Sequence, residues 1–472
     1  MRKILLGTTA VVAAVAVSAP AFAQGAPTVR IGGSIQAYWG YIQQNGAQSE
    51  PGTAAAVPNA VPGGTGALTT GSFGRLGKHD IVTIPQFSVI VSGKLANGIT
   101  YGGNIDLTFN NQESRTVIPG NRNVGVSRSA PAVDEAWIFV AHPRFGQVRF
   151  GDEDGVMGGL MNSGWITGFG TGGVFGVWEN FQTRAVANRT QTAPGGLGDN
   201  SKIVYMSPQF FGFDFGASFA PNFGSMGQHG CIADVVNTFC DRAYAFRGAT
   251  GAAIPVRGGE LGARRNEYQL AARWRGNLAG VGLSATAGYI GSGTARDLTD
   301  TNRQVRTLNG LDVWQFGAQA SYMGFTVGAA YFFGNTNFFW GNTIRGARNG
   351  QQLTAGISYT SGPITVGANF MSGLFEGGDN STFSTATGAV TRNAAPTVFN
   401  PAAGVGANTL ASQRRWGMGF GANYRLAPGL DLIAEYVFHS VREQGADLDA
   451  GRAGIQSRGV ANVFILGSRL AF

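Results

Sequence analysis

The feature that most constrains this chain is a strict alternation of apolar and polar residues, recurring in segments of about ten residues. In "TVRIGGSIQAYWGY", Val29, Ile31, Ile35, Ala37, Trp39 and Tyr41 share one face, and Arg30, Gly32, Ser34, Gln36 and Tyr38 share the other. "RRNEYQLAARWRG" sets Tyr268, Leu270, Ala272 and Trp274 against Glu267, Gln269, Ala271, Arg273 and Arg275. "RRWGMGFGANYRL" sets Trp416, Met418, Phe420, Ala422, Tyr424 and Leu426 against Gly417, Gly419, Asn423 and Arg425. The final "VANVFILGSRLAF" puts Phe464, Leu466, Leu470 and Phe472 on one side and Gly467 and Arg469 on the other. A period of two sustained over this length means a sheet between two unlike environments.

A soluble sandwich would also alternate, with its apolar face inward. Two observations reverse the assignment. Trp, Tyr and Phe gather towards the ends of the apolar rows, as in the aromatic girdles of membrane barrels, and the segments have the length that crosses a bilayer when tilted. An arginine facing lipid at mid-membrane costs about 2–4 kcal/mol, so Glu267, Arg273 and Arg275 cannot share the lipid face. The polar set must line the interior. Closing the sheet also removes unpaired strand edges, which a bilayer cannot solvate.

The connections alternate between short and long. "KLANGIT", "HPRFGQV", "SPQFFGFD", "YMGFT", "TSGPIT" and "RLAPGLDL" are tight turns. Long polar stretches fall near 42–79, 111–131, 153–199, 221–263, 292–309, 334–349, 372–411 and 443–456. Eight long loops imply about sixteen strands, with fourteen or eighteen as neighbouring counts. The fold class is therefore all-β, a transmembrane antiparallel up-and-down barrel.

Composition agrees. Glycine occurs 75 times in 472 residues and only 13% of residues are charged, against about a quarter in soluble domains. Glycine at this frequency argues against long helices. No apolar run outside the N-terminus is long enough for a spanning helix. The chain has only four lysines, so its basic balance is almost entirely arginine. No basic run or recognition motif points to nucleic acid. Arginines at alternate strand positions read instead as fixed charge around a cavity.

The N-terminus, "MRKILLGTTAVVAAVAVSAPAFAQ", has a basic head at Arg2 and Lys3, an apolar core from Ile4 to Val17 and the small-x-small site Ala21-Phe22-Ala23. This is a secretory signal peptide over 1–23, leaving a barrel domain at 24–472. In an exported chain, Cys231 and Cys240 are expected to pair as a disulfide closing a small loop, worth roughly 2–3 kcal/mol.

The C-terminal aromatic Phe472, "LAPGLDLIAEYVFHS" before it and "DEAWIFVAHPRFGQVRFGDEDGVMGGL" in the first third resemble Gram-negative general porins, particularly the alphaproteobacterial type. The resemblance implies a homotrimer of sixteen-stranded barrels in the outer membrane, surrounded by lipid and lipopolysaccharide. It also implies that Phe472 forms part of the signal read by the barrel-assembly machinery. A third external loop would fold into the lumen and narrow it. That loop spans about 153–199, and its glycine-rich "GGLMNSGWITGFGTGGVFG" could pack on the inner wall.

At the constriction, the resemblance sets loop acids against basic residues of the opposite wall. The acids are Asp152, Glu153, Asp154 and Glu179, with Asp199 beyond them; strand parity offers Arg30, Arg149 and Arg469 as partners. The second strand departs from the pattern, presenting Ser88 and Ser92 where many family members have basic residues, so Arg184 and Arg189 become alternatives. Three adjacent carboxylates in "DEDG" also suit calcium; otherwise no metal or cofactor is expected.

"GFGTGG" at 168–173 matches a dinucleotide fingerprint only by glycine content, with no strand–helix–strand unit around it. The four histidines show no metal spacing. His439 shares parity with Glu435, but no serine is ordered beside it for hydrolysis, so no enzyme is expected.

The function that follows is passive diffusion of ions and small hydrophilic solutes, sieved by the loop and biased by lumenal charge. A solute-selective channel is the alternative, although Tyr38 is the only clear inward aromatic. A plugged structural or adhesive barrel is another, but about sixteen strands leave an aqueous bore.

Overall fold

The structure is a computed structural model. It describes residues 26–44, 78–108, 132–181, 200–222, 265–297, 306–336, 340–341, 343–344, 348–376, 412–443 and 458–472, together with short strands at 242–243, 246–247, 253–254, 381–383 and 390–392. The signal segment 1–23, Cys231, Cys240, Arg184, Arg189 and Asp199 lie outside the described residues.

Sixteen strands close into one antiparallel barrel. In chain order they are β1 (Thr28–Gln44), β2 (His79–Lys94), β3 (Thr100–Thr108), β4 (Ala132–His142), β5 (Gly146–Glu153), β6 (Asn200–Met206), β7 (Phe213–Ala220) and β8 (Glu267–Leu278). The second half comprises β9 (Val281–Gly291), β10 (Asp312–Tyr322), β11 (Phe325–Asn335), β12 (Gly350–Ser361), β13 (Ile364–Glu376), β14 (Ser412–Ala427), β15 (Leu430–Glu443) and β16 (Arg458–Ala471). Each strand pairs with its sequence neighbours, and β1 pairs with β16 from Ser34↔Ala471 to Gln44↔Ala461. Beyond the last paired residue, Phe472 exchanges two backbone hydrogen bonds with Gly33, each at 3.0 Å.

Turn chemistry explains the short side. Phe211–Gly212, Ala279–Gly280 and Met323–Gly324 all carry positive φ at both residues. Such pairs match the right-handed twist of a hairpin, with glycine absorbing the second positive angle.

The outward rows are those expected from alternation. Ile31, Ile35, Trp39, Leu270, Trp416, Phe420, Leu466 and Leu470 are all exposed on the barrel's outer wall. Phe472 packs edge-on against Phe87, ring centres 5.6 Å apart.

The inward rows depart from the simple rule of ionic residues around water. Ile42, Ile433, Val437, Val441, Val463 and Ile465 point inward, yet are almost completely buried, with Val174, Trp178 and Phe181 of the segment after β5. A second inward cluster joins Val156, Met157 and Met161 of that segment to Val204, Ile290, Val313 and Phe332. Each such side chain stabilises the packing by about 1.5–3 kcal/mol if fully removed from water. Inward apolar positions are tolerated because chain, not water, covers them.

Candidate functional site: the lumenal wall and the segment after β5

Residues of the segment after β5 are joined by hydrogen bonds to polar side chains of many strands. Met157 N–H donates to Gln269 Oε1 of β8 at 2.8 Å, and Ser163 Oγ lies 2.7 Å from Thr286 Oγ1 of β9. Gly164 N–H donates to Gln319 of β10, and Val174 N–H to Asn369 of β13. Asn423 of β14 both accepts from and donates to Gly170.

The densest anchor is Glu435 on β15. Its carboxylate accepts from Thr171 N–H at 2.7 Å, Thr171 Oγ1–H at 2.6 Å and Gly173 N–H at 2.9 Å. The glycine-rich stretch that mimics a dinucleotide loop thus forms a nest of donors for a carboxylate of its own chain. Gly170 has φ +55, and a Cβ there would strike Glu435 Oε2.

Acidic groups concentrate on β3–β5. Asp106 accepts from Gln86 at 2.9 Å and from Ser88 at 3.2 Å. Glu135 accepts from Trp137 Nε1–H at 3.1 Å. Glu153 pairs with Arg149 at 2.9 Å, and the Arg149 guanidinium lies 4.3 Å from the Trp137 ring centre. Lys202 Nζ donates to the Glu153 carbonyl. Just past β5, burial pushes the Asp154 carboxyl above its ordinary range, opposed by the charges of Lys202 and Arg149.

The expected constriction residues do not form one pair of facing rows. Arg149 meets Glu153 on its own strand rather than an acid across the bore. Both residues have inward parity, and the intervening Gly151, at φ +141, leaves no side chain between them. Asp152 is buried beside them. Glu179 lies within reach of the Arg415 charge; burial pushes its carboxyl up to about 7, and Arg415 opposes the shift. Arg469 is level with Asp431, its register partner on β15. Arg30 is exposed near the start of β1.

Sequence reasoning did not single out Asp106, Glu135, Lys202, Arg415 or Arg425. Parity places each on an inward row, but nothing local marks it as part of a site. Beside Tyr38, the inward rows also carry Trp137 and Phe139, whose ring centres are 6.1 Å apart, and the buried Phe332 and Phe375. His439 Nε2 has no hydrogen-bond partner among the described residues, and its ring lies 4.9 Å from that of Trp178, so it forms no Ser–His pair. Among the described residues, no three carboxylate, histidine or cysteine side chains gather as metal ligands, including those of "DEDG".

A closed sixteen-stranded barrel with an apolar outside and charged residues within is a transmembrane barrel, the architecture that leaves an aqueous bore at this strand number. The model of the Gram-negative porin family matches residues 8–444, and the chain belongs to that family. It is an outer-membrane porin of a Gram-negative bacterium.

Among solved structures, the chain is similar to in-vitro folded OmpT, an outer membrane protein of Vibrio cholerae, at 11% identity and a TM-score of 0.47. That match covers 96% of this chain and 100% of the other. The anion-selective porin from Comamonas acidovorans matches at 10% identity and 0.47, covering 95% and 100%. A mutant of the Rh. blastica porin matches at 12% and 0.43, covering 94% and 100%. No curated protein matches the chain.

Proposed function

We propose that the protein passes ions and small hydrophilic solutes by passive diffusion, without covalent chemistry or energy coupling. In this reading the segment after β5 folds into the lumen and sets its width. The observation that carries the reading is the chain of hydrogen bonds from that segment to inward side chains on β7–β10 and β13–β15. Low-dielectric walls strengthen the field of charges beside a narrow aqueous gap.

The selectivity follows from where the charges sit. Asp106, Glu135, Glu153 and Asp154 on one wall outnumber Arg149 and Lys202 beside them, giving that wall a cation preference. The arginines that resemblance would place opposite, Arg30, Arg149 and Arg469, lie on three separate strands, and Arg415 on β14 adds a further charge. The protein is read as a homotrimer surrounded by lipid and lipopolysaccharide, with Phe472 recognised by the barrel-assembly machinery.

Planar-bilayer recording tests the channel reading. Ohmic openings in groups of three are expected; a silent, correctly folded protein would shift the reading to a plugged structural barrel. In a salt gradient, neutralising Asp152, Glu153 and Asp154 together should lower cation preference. An unchanged reversal potential would remove these residues from the conducting path.

A further inference from the structure

On the short-turn side of the segment after β5, a polar cavity of about 300 Å³ opens between Thr167–Thr171 and the wall. Strand register aligns Gln36, Arg469, Asp431 and Arg425 in one row across β1, β16, β15 and β14. The charges alternate as plus, minus, plus, leaving the row one positive charge in excess.

Hydrogen-bond accounting makes the cavity rich in donors. Among the described residues, Asp431 takes only the Nε–H of Arg425, at 3.4 Å, and most of that guanidinium is left uncommitted by them. Among the described residues, no hydrogen bond or ion pair engages Arg469. The Asn423 amide is committed to Gly170, and Tyr38 Oη–H donates to Gln36 Oε1 at 2.8 Å. Thr360 and Thr365 share one hydrogen bond at 3.0 Å, leaving one hydroxyl hydrogen over. The ligand that suits this inventory is an anion with acceptors in a plane, together with hydroxyls for the threonines. Guanidinium groups grip a carboxylate through paired N–H donors. The volume equals roughly ten waters, the scale of a small hydroxy acid.

We propose that this cavity is a binding subsite for small hydroxylated carboxylates, held by Arg469 and Arg425 with their hydroxyls against Thr360 and Thr365. It gives the channel a solute preference separate from the acidic wall, and it rests on the diffusion-channel reading.

The test is current block by gluconate in single-channel recordings, scored against each variant's own open current. Glucose and inorganic phosphate serve as the comparison probes. Gluconate should interrupt the wild-type current, whereas glucose and phosphate at equal concentration should do so much less. Arg469→Gln and, independently, Arg425→Gln should weaken block about tenfold each, the loss of one charge-assisted bond. Asp431→Asn should strengthen block, because it frees the Nε–H of Arg425 and removes a negative charge that repels the bound carboxylate; a merely structural role would not produce opposite signs.

Equal block by glucose would overturn the carboxylate assignment, and equal block by phosphate would overturn the hydroxylated one. Block unchanged in both arginine variants would overturn the site. Absence of any conductance would instead defeat the channel reading, while conductance without gluconate block would defeat only the subsite.

Discussion

At the scale of single residues, Glu435 and Glu179 show how one carboxylate type serves different ends. Glu435 accepts three donors from Thr171 and Gly173, and hydrogen bonds to a charged group contribute about 1.5–3 kcal/mol each. Glu435→Ala should release this stretch, raising open-channel current noise and exposing residues 168–176 to protease. Wild-type noise and resistance would show that the anchor lies elsewhere. Glu179 is held near a neutral-range midpoint by burial. Its carboxyl is charged above about 7 and neutral below, so cation preference should fall as pH is lowered from 8 to 6. Reversal potentials in Glu179→Gln should lack that component. The same shift means the folded state binds this proton more tightly. The group's contribution to stability is therefore fully present below its ordinary value of 4.5 and is lost as pH rises through about 7.

At the scale of strands, alternation converts into energy because the two faces meet different solvents. Ala272 lies on the outward row of β8 with Tyr268, Leu270 and Trp274, while Ala271 is 6% exposed on the inward one. Ala272→Arg should cost about 2–4 kcal/mol, less if the position sits near an interface. Denaturant titration of the protein refolded in lipid would register this as a lower midpoint, and an unchanged midpoint would refute the lipid-facing assignment. Parity could be read directly from "RRNEYQLAARWRG". Parity alone could not rank Arg273 and Arg275, which both converge on Asp214 of β7, at 2.6 and 3.0 Å.

At the scale of the whole molecule, the proposed sieving makes the width of the bore depend on how closely the segment after β5 seats against the wall. Gly317 on β10 faces the Ser163 carbonyl so closely that any Cβ would collide with backbone. Gly317→Val should lift the segment near Ser163, increasing single-channel conductance and admitting larger sugars in liposome-swelling assays. Wild-type conductance and exclusion size would show that this contact does not control the opening.

The sequence by itself determined the barrel, its polarity and the division into tight turns and long loops, because a period of two is a local property of extended backbone. It also placed Arg30, Arg149 and Arg469 on inward rows. Only the tertiary structure decided which inward positions became dry and which acids met which bases. Those outcomes depend on contacts such as Ser163 with Thr286 and Gly170 with Asn423, separated by 123 and 253 residues. Packing at that range joins strands whose sequences carry no local record of one another, so Ile433 and Val437 could not be distinguished from lipid-facing residues by hydrophobicity alone.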